Sequence, residues 1–240
     1  MLRAAIRFLP VALCAMTMAI LAVGVVGMLM GYGFMDAIMY VAIPMMGGGM
    51  GAGVVPLSGM YAEALHVDAA GIISRMIPAS TLGNVTAIVA ADMLAKLGEV
   101  KPSLSGNGKL MKKEMEYAAQ QWSQFVMGNW TQALLVGIGI SMIDLNAVIS
   151  AFSVTYLILV LVVVGGVALG AGIGGYFVGF YPIESSITAG LCTTNMGGTG
   201  DIAVLSAAKR MELLPFAQIS TRICGALVLV VASILIKILF

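Results

Sequence analysis

The chain has 240 residues, of which 60% are hydrophobic and only 10% are charged. This composition excludes an ordinary soluble domain and predicts an all-α integral membrane protein with several spans. The formal net charge of +1 favours no nucleic-acid partner. A single histidine and three cysteines, all in apolar segments, argue against a transition-metal site or a disulfide framework.

Residues 1–113 are predicted to form the first of two related parts. Residues 8–32 are an apolar run long enough to cross a bilayer, which takes about 20 helical residues. Residues 37–65 are also apolar, but glycines break them in the middle, so each half is too short to span. This pattern predicts a re-entrant helical hairpin, the first hairpin. A span over 76–98 and a hydrophilic cytoplasmic loop over 99–116 follow.

Residues 114–240 are predicted to form the second part. Residues 117–143 begin with a polar half flanked by tryptophans, which favours an interfacial helix that leads into a span. A Val- and Leu-rich span over 153–180 ends in several glycines, and small residues of this kind allow close helix–helix approach. Residues 183–208 are a second broken segment, the second hairpin, and 213–240 are the last span.

A weak internal repeat relates the two parts. A Gly-Gly-x-Gly motif begins at Gly48 and again at Gly197, and a Val/Leu-Ser segment follows each copy. An Arg-Met pair with a proline shortly after it then occurs at Arg75 and again at Arg210. Three predicted crossings separate the hairpins, so the hairpins enter the membrane from opposite faces. This is the inverted-repeat arrangement of secondary transporters.

Positive charge orients the chain. The two faces carry unequal numbers of the twelve cations, and the richer face is cytoplasmic by the positive-inside rule. That face holds Arg3, Arg7, Lys96, Lys101, Lys109, Lys112, Lys113, Lys209 and Arg210, whereas the outer face holds Arg75 and Lys237. The second hairpin is therefore predicted to open toward the cytoplasm and the first toward the outside.

The remaining cation, Arg222, lies inside the last span. It stands about ten residues from the start of that span, which places its guanidinium roughly 15 Å deep. A charge at that depth usually faces a polar cavity and marks a substrate path. A guanidinium also matches a planar carboxylate in two-point contact. The alternative is a structural pair with a buried acid such as Asp201 or Glu184.

Other polar groups surround the second break. Broken helices leave free N–H groups, which suit carboxylates, and free C=O groups, which suit a cation such as Na⁺. Side chains that offer oxygen or amide groups to substrate hydroxyls or to a coupling ion are Asn195, Thr199, Ser220 and Thr221. Each of them alone also fits a helix cap or a hydroxyl bonded to its own helix. Asp201 fits either a cap of the following helix or an ion-linked role.

Several further polar residues have plainer interpretations. Glu184 follows a proline and fits the first turn of a helix at the interface. Asp92 and Lys96 are spaced i, i+4 and predict an interfacial ion pair. His66 and Asp68 are expected to be solvated in the outer loop.

These segments resemble the 2-hydroxycarboxylate transporter family of bacterial citrate and malate carriers. The residues that carry the resemblance are 47–58, 181–192, 195–206 and 216–222, and the two Gly-Gly-x-Gly motifs occur in the family's order. The resemblance implies an elevator-type carrier in the bacterial cytoplasmic membrane, in which a transport domain with both hairpins slides against a dimerisation scaffold. It also implies a homodimer embedded in the lipid bilayer.

The resemblance further implies the site. Arg222 corresponds to the family's C-terminal substrate-binding arginine, and the hairpin tips would form the carboxylate and cation sites. The substrate-binding candidates are then Arg222, Asn195, Met196, Gly197, Gly198, Thr199, Gly49, Met50 and Gly51. The cation-binding candidates are Asn195, Thr199, Asp201, Ser220 and Thr221.

The chain departs from the family in length and at the tips. Relatives have several helices ahead of the equivalent of Phe8, and usually two more spans where this chain passes from Lys113 to Glu114. We therefore expect either an incomplete carrier that lacks N-terminal scaffold helices and a central pair, or a carrier whose missing segments are simply not included in this chain and its numbering. At the tips, the sequences of sodium–citrate members are similar to Gly-Gly-Gly-Asn-Gly and Asn-Arg-Gly-Gly-Ser-Gly-Asp. This chain has Met50 at the position of the Asn in the first motif and Met196 at the position of the Arg in the second.

The sequence thus predicts a secondary transporter of 2-hydroxycarboxylates, with malate favoured and citrate or lactate as further substrates. Coupling to Na⁺ or H⁺ and exchange against an internal carboxylate both stay open, and no other cofactor is expected. Alternatives are a Na⁺-coupled citrate symporter or a carrier of another small anion with the same broken-helix design. A membrane enzyme would need a nucleophile–base pair or metal ligands, and a structural subunit would leave a buried arginine unexplained.

Overall fold

The structure, a computed structural model, describes residues 2–110, 153–195 and 197–239. These residues form helices and no strand, in agreement with the predicted all-α class. Among them, four helices are long and apolar enough to cross a membrane: Arg7–Leu29, Ala69–Val100, Val154–Val178 and Met211–Ile238. The interfacial helix predicted over 117–143 lies outside the described residues.

In chain order the helices are α1 (Leu2–Leu29), α2 (Phe34–Met46), α3 (50–65), α4 (Ala69–Val100), α5 (Val154–Val178), α6 (182–194), α7 (Gly198–Ala207) and α8 (Leu214–Leu239). Short 3₁₀ turns occur at Pro102–Leu104, after α4, and at Met211–Leu213, before α8. The predicted spans over 8–32, 153–180 and 213–240 coincide with α1, α5 and α8.

Helix α4 begins earlier than the predicted span over 76–98. It starts at Ala69, so that Arg75 lies inside the helix and not ahead of it. The predicted span lies within this longer helix, and the Arg75 side chain is exposed. Proline removes one backbone donor from a helix. The hydroxyl of Tyr156 lies next to this turn and donates a hydrogen bond of 3.2 Å to the Arg75 carbonyl.

The two broken segments have the same construction. In the first hairpin, α2 and α3 are separated by residues 47–49, and in the second hairpin, α6 and α7 are separated by residues 195–197. Each of these four helices is shorter than the roughly 20 residues that a span requires. Gly49 (φ 96°, ψ −173°) and Gly197 (φ 85°, ψ −157°) stand immediately before α3 and α7. Only glycine adopts this backbone conformation without strain, which explains why both breaks are glycine-rich.

The hairpin helices are irregular along their length. Wide π turns occur at Ile38–Ala42 in α2, Met50–Val54 in α3 and Ser186–Gly190 in α6, and α6 ends in a 3₁₀ turn at Leu191–Thr194. Such turns are rare in ordinary helices and are frequent at functional sites.

Glycines let α5 pack closely against two neighbours. A Cβ atom at Gly170 would lie 2.6 Å from the carbonyl oxygen of Cys14, so α1 approaches the backbone of α5 directly. On another face, a Cβ at Gly172 would lie 2.7 Å from the hydroxyl of Ser186, which donates to the Ala168 carbonyl at 2.7 Å. These contacts agree with the predicted role of small residues, and they fix α6 against a membrane-spanning helix.

The peripheral polar residues follow their predicted interpretations. Lys96 and Asp92 form an ion pair of 2.6 Å on an exposed face of α4. His66 and Asp68 are exposed between α3 and α4. The three cysteines are free, and Cys192 and Cys224 are buried.

Candidate functional site

The tips of the two hairpins meet backbone to backbone. A Cβ atom at Gly197 would lie 3.1 Å from the carbonyl oxygen of Gly48, so the two tips are in close backbone contact here. Helix α8 crosses the same point, since a Cβ at Gly225 would lie 3.0 Å from the carbonyl oxygen of Gly47. Both breaks and the helix that carries Arg222 therefore converge on one junction, which we call the tip junction.

A buried carboxylate holds the second tip in shape. Asp201 in the first turn of α7 has no exposed surface, and its carboxylate accepts a hydrogen bond of 2.8 Å from the Asn195 side chain. The Thr221 hydroxyl bonds to the Ala217 carbonyl of its own helix at 2.9 Å, and it also lies 3.2 and 3.3 Å from the two Asp201 oxygens and 3.2 Å from the Cys192 carbonyl. The Asn195 oxygen in turn accepts from the Gly197 amide at 2.8 Å. The structure thus links three predicted residues, Asn195, Asp201 and Thr221, in one network.

Asp201 does not cap α7. The helix begins at Gly198, its cap residue is Gly197, and no side chain caps it. Because Asp201 stands three residues inside the helix, its carboxylate points back across the break toward Asn195 instead of to the first free amides. The capping interpretation is therefore wrong, and an ion-linked role is the alternative that stays open for Asp201.

Arg222 follows Thr221 on α8, and its side chain is exposed. It lies eleven residues after the start of the apolar span Met211–Ile238, near the middle of that span. The alternative pair between Arg222 and Glu184 is wrong, because Glu184 forms a buried ion pair with Arg210 at 3.2 Å. Glu184 lies in the first turn of α6, as predicted, and its side chain has no exposed surface.

The first tip is open on one side. Met50, the first residue of α3, is buried, whereas Gly51 and Ala52 are exposed. A Cβ atom at Gly51 would meet no atom within 4 Å. There is consequently free space beside the predicted residues of this tip.

Not every predicted residue joins the network. The Ser220 hydroxyl lies 3.9 Å from the Cys224 sulfur, on its own helix. Gly49 and Gly197 shape the breaks, and Gly198 begins α7. Met196 and the Thr199 side chain lie outside the described residues.

Sequence reasoning missed the glycines that let the helices reach the tips. Gly225 on α8 contacts the first tip, and Gly83 on α4 lies between Met45 and the Thr194 carbonyl, 2.7 and 2.9 Å from its Cβ position. The only sequence feature that could have indicated these contacts was a single small residue on an apolar helix, about one turn away from a polar residue. Such a signal is too common in membrane helices to stand out.

In the part of the chain that the structure describes, four membrane-length helices and two broken hairpins that meet at a polar junction define an integral membrane transport protein. Residues 1–117 and 109–234 match the profile of the 2-hydroxycarboxylate transporter family. The chain belongs to this family.

Relatives of the chain carry citrate or malate. The chain is 35% identical over 300 residues to a citrate transporter of Leuconostoc mesenteroides subsp. mesenteroides, covering 98% of this chain and 68% of the relative. It is 36% identical to a malate transporter of Lactococcus lactis subsp. lactis, with 99% and 70% covered. It is 33% identical to a Na⁺–malate symporter of Bacillus subtilis, with 95% and 65% covered.

Proposed function

We propose that the protein carries 2-hydroxycarboxylates across the bacterial cytoplasmic membrane and binds them at the tip junction. The observation that carries the proposal is the convergence of both breaks and of the Arg222 helix on one point. Secondary transporters place substrate and coupling ion where broken helices meet near mid-membrane. Membership of the family, and its relatives' activities as citrate and malate transporters, support a carboxylate substrate.

The part of the site that binds the substrate carboxylates consists of backbone amides and one guanidinium. The first amides of α3 and α7 have no partner within their own helices, and both helices start at the junction. Helix N-termini carry partial positive charge that attracts carboxylates. Arg222 adds a full positive charge one residue from Thr221, and its planar fork suits two-point contact with a carboxylate. The open space beside Gly51 admits the substrate between these groups.

The cation site is built around Asp201. Its carboxylate, the Thr221 hydroxyl, the Asn195 amide oxygen and the Cys192 carbonyl form a set of oxygens within one hydrogen-bonded network. Carboxylate, carbonyl and hydroxyl oxygens are the ligands that hard cations prefer, and free carbonyls of broken helices coordinate Na⁺ in transporters. The Na⁺–malate symporter among the relatives supports sodium as the coupling ion. Proton coupling through the same carboxylate and exchange against an internal carboxylate are the alternatives.

The two hairpins are inverted repeats in this proposal. Supporting it, Gly49 and Gly197 have the same backbone conformation, and the amide four residues later bonds back to each of them, at 2.9 and 3.0 Å. The pair Gly47 and Gly53 in the first tip occupies the place of Asn195 and Asp201 in the second, since a Cβ at Gly53 would lie 2.6 Å from the Gly47 oxygen. The polar ligands therefore belong to one repeat only.

The transport domain slides as an elevator against a scaffold, and the protein is a homodimer. Resemblance to the family supports both statements. The two stretches that match the family profile overlap at residues 109–117. The alignment with the Leuconostoc relative extends over 300 positions, although this chain has 240 residues. Both facts support the view that relatives contain additional residues at the position that corresponds to the middle of this chain.

Uptake measurements test the proposal. The full-length protein in proteoliposomes should accumulate labelled malate, with lactate and citrate as weaker substrates, when a Na⁺ or pH gradient is imposed. Collapse of the gradient with an ionophore is the control for coupling, and preloading with lactate tests exchange. Absence of uptake for all three acids under all gradients, in correctly inserted protein, would refute the function.

A further inference from the structure

A second buried polar cluster lies at the cytoplasmic end of the second hairpin, away from the tip junction. Glu184 in the first turn of α6 is fully buried and forms an ion pair of 3.2 Å with Arg210, which follows α7 and is 8% exposed. The Ser105 hydroxyl accepts a hydrogen bond of 2.9 Å from Arg210 and donates one of 3.0 Å to Glu184. We call these three residues the clamp.

The clamp joins three parts of the chain at one point. Glu184 begins the first leg of the hairpin, Arg210 ends the second leg, and Ser105 belongs to the segment after α4. The end of α4 packs on the clamp as well, since a Cβ at Gly98 would lie 3.0 Å from the Arg210 guanidinium. The Tyr181 amide adds a hydrogen bond of 3.2 Å to the Leu110 carbonyl. Both legs of the second hairpin are thus fastened to each other and to α4.

The outer end of the first hairpin is fastened differently. Arg75 is again the arginine that follows the hairpin, but its side chain is exposed; its guanidinium lies 3.9 Å from the centre of the buried Tyr40 ring and also contacts the Tyr32 hydroxyl. The other hydrogen bonds at this end join neutral groups: Tyr61 to the Met39 carbonyl is 3.4 Å, and Tyr156 lies 3.5 Å from the Tyr40 carbonyl and 3.2 Å from the Arg75 carbonyl.

The two attachments differ in strength for a physical reason. Separating a buried ion pair leaves two charges without partners in a medium of low polarity, which is strongly unfavourable. An exposed cation–π contact is exchanged for contacts with water at little cost. Opening the second hairpin at its base therefore requires much more free energy than opening the first.

We propose that the clamp stays closed throughout the transport cycle, so that the second hairpin moves as one rigid body with α4. The first hairpin is then the gate through which the substrate enters and leaves the tip junction. This inference rests on the proposed function, and it adds the identity of the hairpin that moves to admit the substrate.

A disulfide that fastens the second hairpin tests the inference directly. The pair Leu110→Cys and Tyr181→Cys, in a background without other cysteines, replaces two neighbouring residues and leaves the clamp intact. Under the proposal, oxidised and reduced proteins transport at rates within about twofold of each other, because the bond adds to a contact that never opens. Loss of uptake on oxidation, recovered with reductant, would overturn the proposal. Absence of uptake in the reduced protein and in the wild type would instead count against the proposed function.

Labelling with a thiol reagent tests the clamp residues themselves. A single cysteine at the second tip, Thr199→Cys, should react slowly with a membrane-impermeant maleimide, and Glu184→Gln should accelerate the reaction at least tenfold. The first tip, probed with Ala52→Cys, should react at an unchanged rate in the same background. Asp92→Asn, which removes an exposed ion pair on α4, is the matched control and should change neither rate.

The charge exchange Glu184→Arg with Arg210→Glu distinguishes pairing from folding. It should restore slow labelling at Thr199→Cys, because the ion pair is re-formed in reverse. Unchanged labelling of the second tip in well-inserted Glu184→Gln would overturn the clamp, as would a wild-type second tip that reacts as fast as the first.

Discussion

The side chain of Asn195 donates a hydrogen bond of 2.8 Å to the carboxylate of Asp201 across the break between α6 and α7. The two residues stand six apart, and Gly197, with φ of 85°, turns the chain between them. Because Asp201 has no exposed surface, this bond offsets part of the cost of burying a charge, and the Thr221 hydroxyl lies close by at 3.2 Å. The second tip is consequently held by the same carboxylate that we propose for the cation site.

Asp201→Asn should abolish the dependence of uptake on the cation gradient. The substitution keeps the shape and one hydrogen-bond acceptor but removes the charge that attracts the cation. We expect residual uptake to fall at least about tenfold, which corresponds to 1.4 kcal/mol of binding free energy. Malate uptake measured against Na⁺ concentration checks this. Asp92→Asn is the control, because that carboxylate forms only an exposed ion pair, whose contribution is small. Normal Na⁺ dependence in the Asp201 variant would exclude this residue from the cation site.

Gly197→Ala should disrupt transport more than it destabilises the fold. The residue has φ 85° and ψ −157°, a region essentially restricted to glycine, so alanine costs about 1–3 kcal/mol in backbone strain, and its Cβ would lie 3.1 Å from the Gly48 oxygen. Gly179→Ala is a control for a positive φ away from the tips: its φ is 83° and its ψ 23°, in the left-handed helical region, and a Cβ there meets no atom within 4 Å. We expect thermal stability in detergent to fall for both variants, and uptake to be lost only for Gly197→Ala. Equal uptake in the two variants would show that contact between the tips is not needed.

Arg222→Ala should weaken malate binding, since it removes the cation proposed to pair with a substrate carboxylate. A charged hydrogen bond contributes about 1.5–3 kcal/mol, which corresponds to a loss of roughly ten- to more than a hundredfold in affinity. Arg222→Lys should recover only part of the affinity, because an ammonium group lacks the planar fork. Binding by calorimetry and uptake kinetics check this. Wild-type affinity in a correctly inserted Arg222→Ala protein is incompatible with the assignment.

The inverted arrangement predicts how engineered cysteines label. Cysteines at the two tips, Met50→Cys and Thr199→Cys, should both react with small thiol reagents that diffuse through water-filled paths. Cysteines at the hairpin bases, Asp36→Cys and Ser206→Cys, should react from opposite faces of the membrane. Impermeant reagents applied to vesicles of either orientation make the measurement. Reaction of both bases from the same face is the result that refutes inversion.

Local sequence was sufficient to predict the breaks and the place of Arg222 near the middle of the last apolar span, from which its expected depth follows. The breaks depend on glycine conformation, as the φ values of Gly49 and Gly197 show. The depth depends only on counting residues along an apolar helix. Neither property needs knowledge of distant contacts.

The clamp was beyond local sequence because its members are far apart in the chain. Ser105 contacts Glu184 and Arg210 across 79 and 105 residues. Charge counting assigned Arg210 to the cytoplasmic surface together with Lys209. In the structure Lys209 is exposed, whereas Arg210 is buried. Burial here results from the packing of the segment after α4, which no periodicity encodes.

Met196→Arg should shift preference from malate toward citrate. Met196 and Met50 are apolar residues at the positions where, by resemblance, sodium–citrate members have an arginine and an asparagine. With Arg222 as the strong cation of the site, a dicarboxylate should bind better than a tricarboxylate. A third carboxylate would lose water without gaining a partner, and a buried unpaired charge is costly.

The competing acids give this selectivity a quantitative test. Wild type should prefer malate and should accept lactate or citrate as weaker competitors, since a site with fewer fixed polar groups discriminates less between analogues. In the Met196→Arg variant the added guanidinium should raise the ratio of citrate to malate uptake by about tenfold, the equivalent of 1.4 kcal/mol. Met196→Gln, which is polar but uncharged, is the control and should leave the ratio near that of wild type. A wild type that strongly prefers citrate, or an unchanged ratio in Met196→Arg, would mean that charge selectivity does not reside in the tip residues.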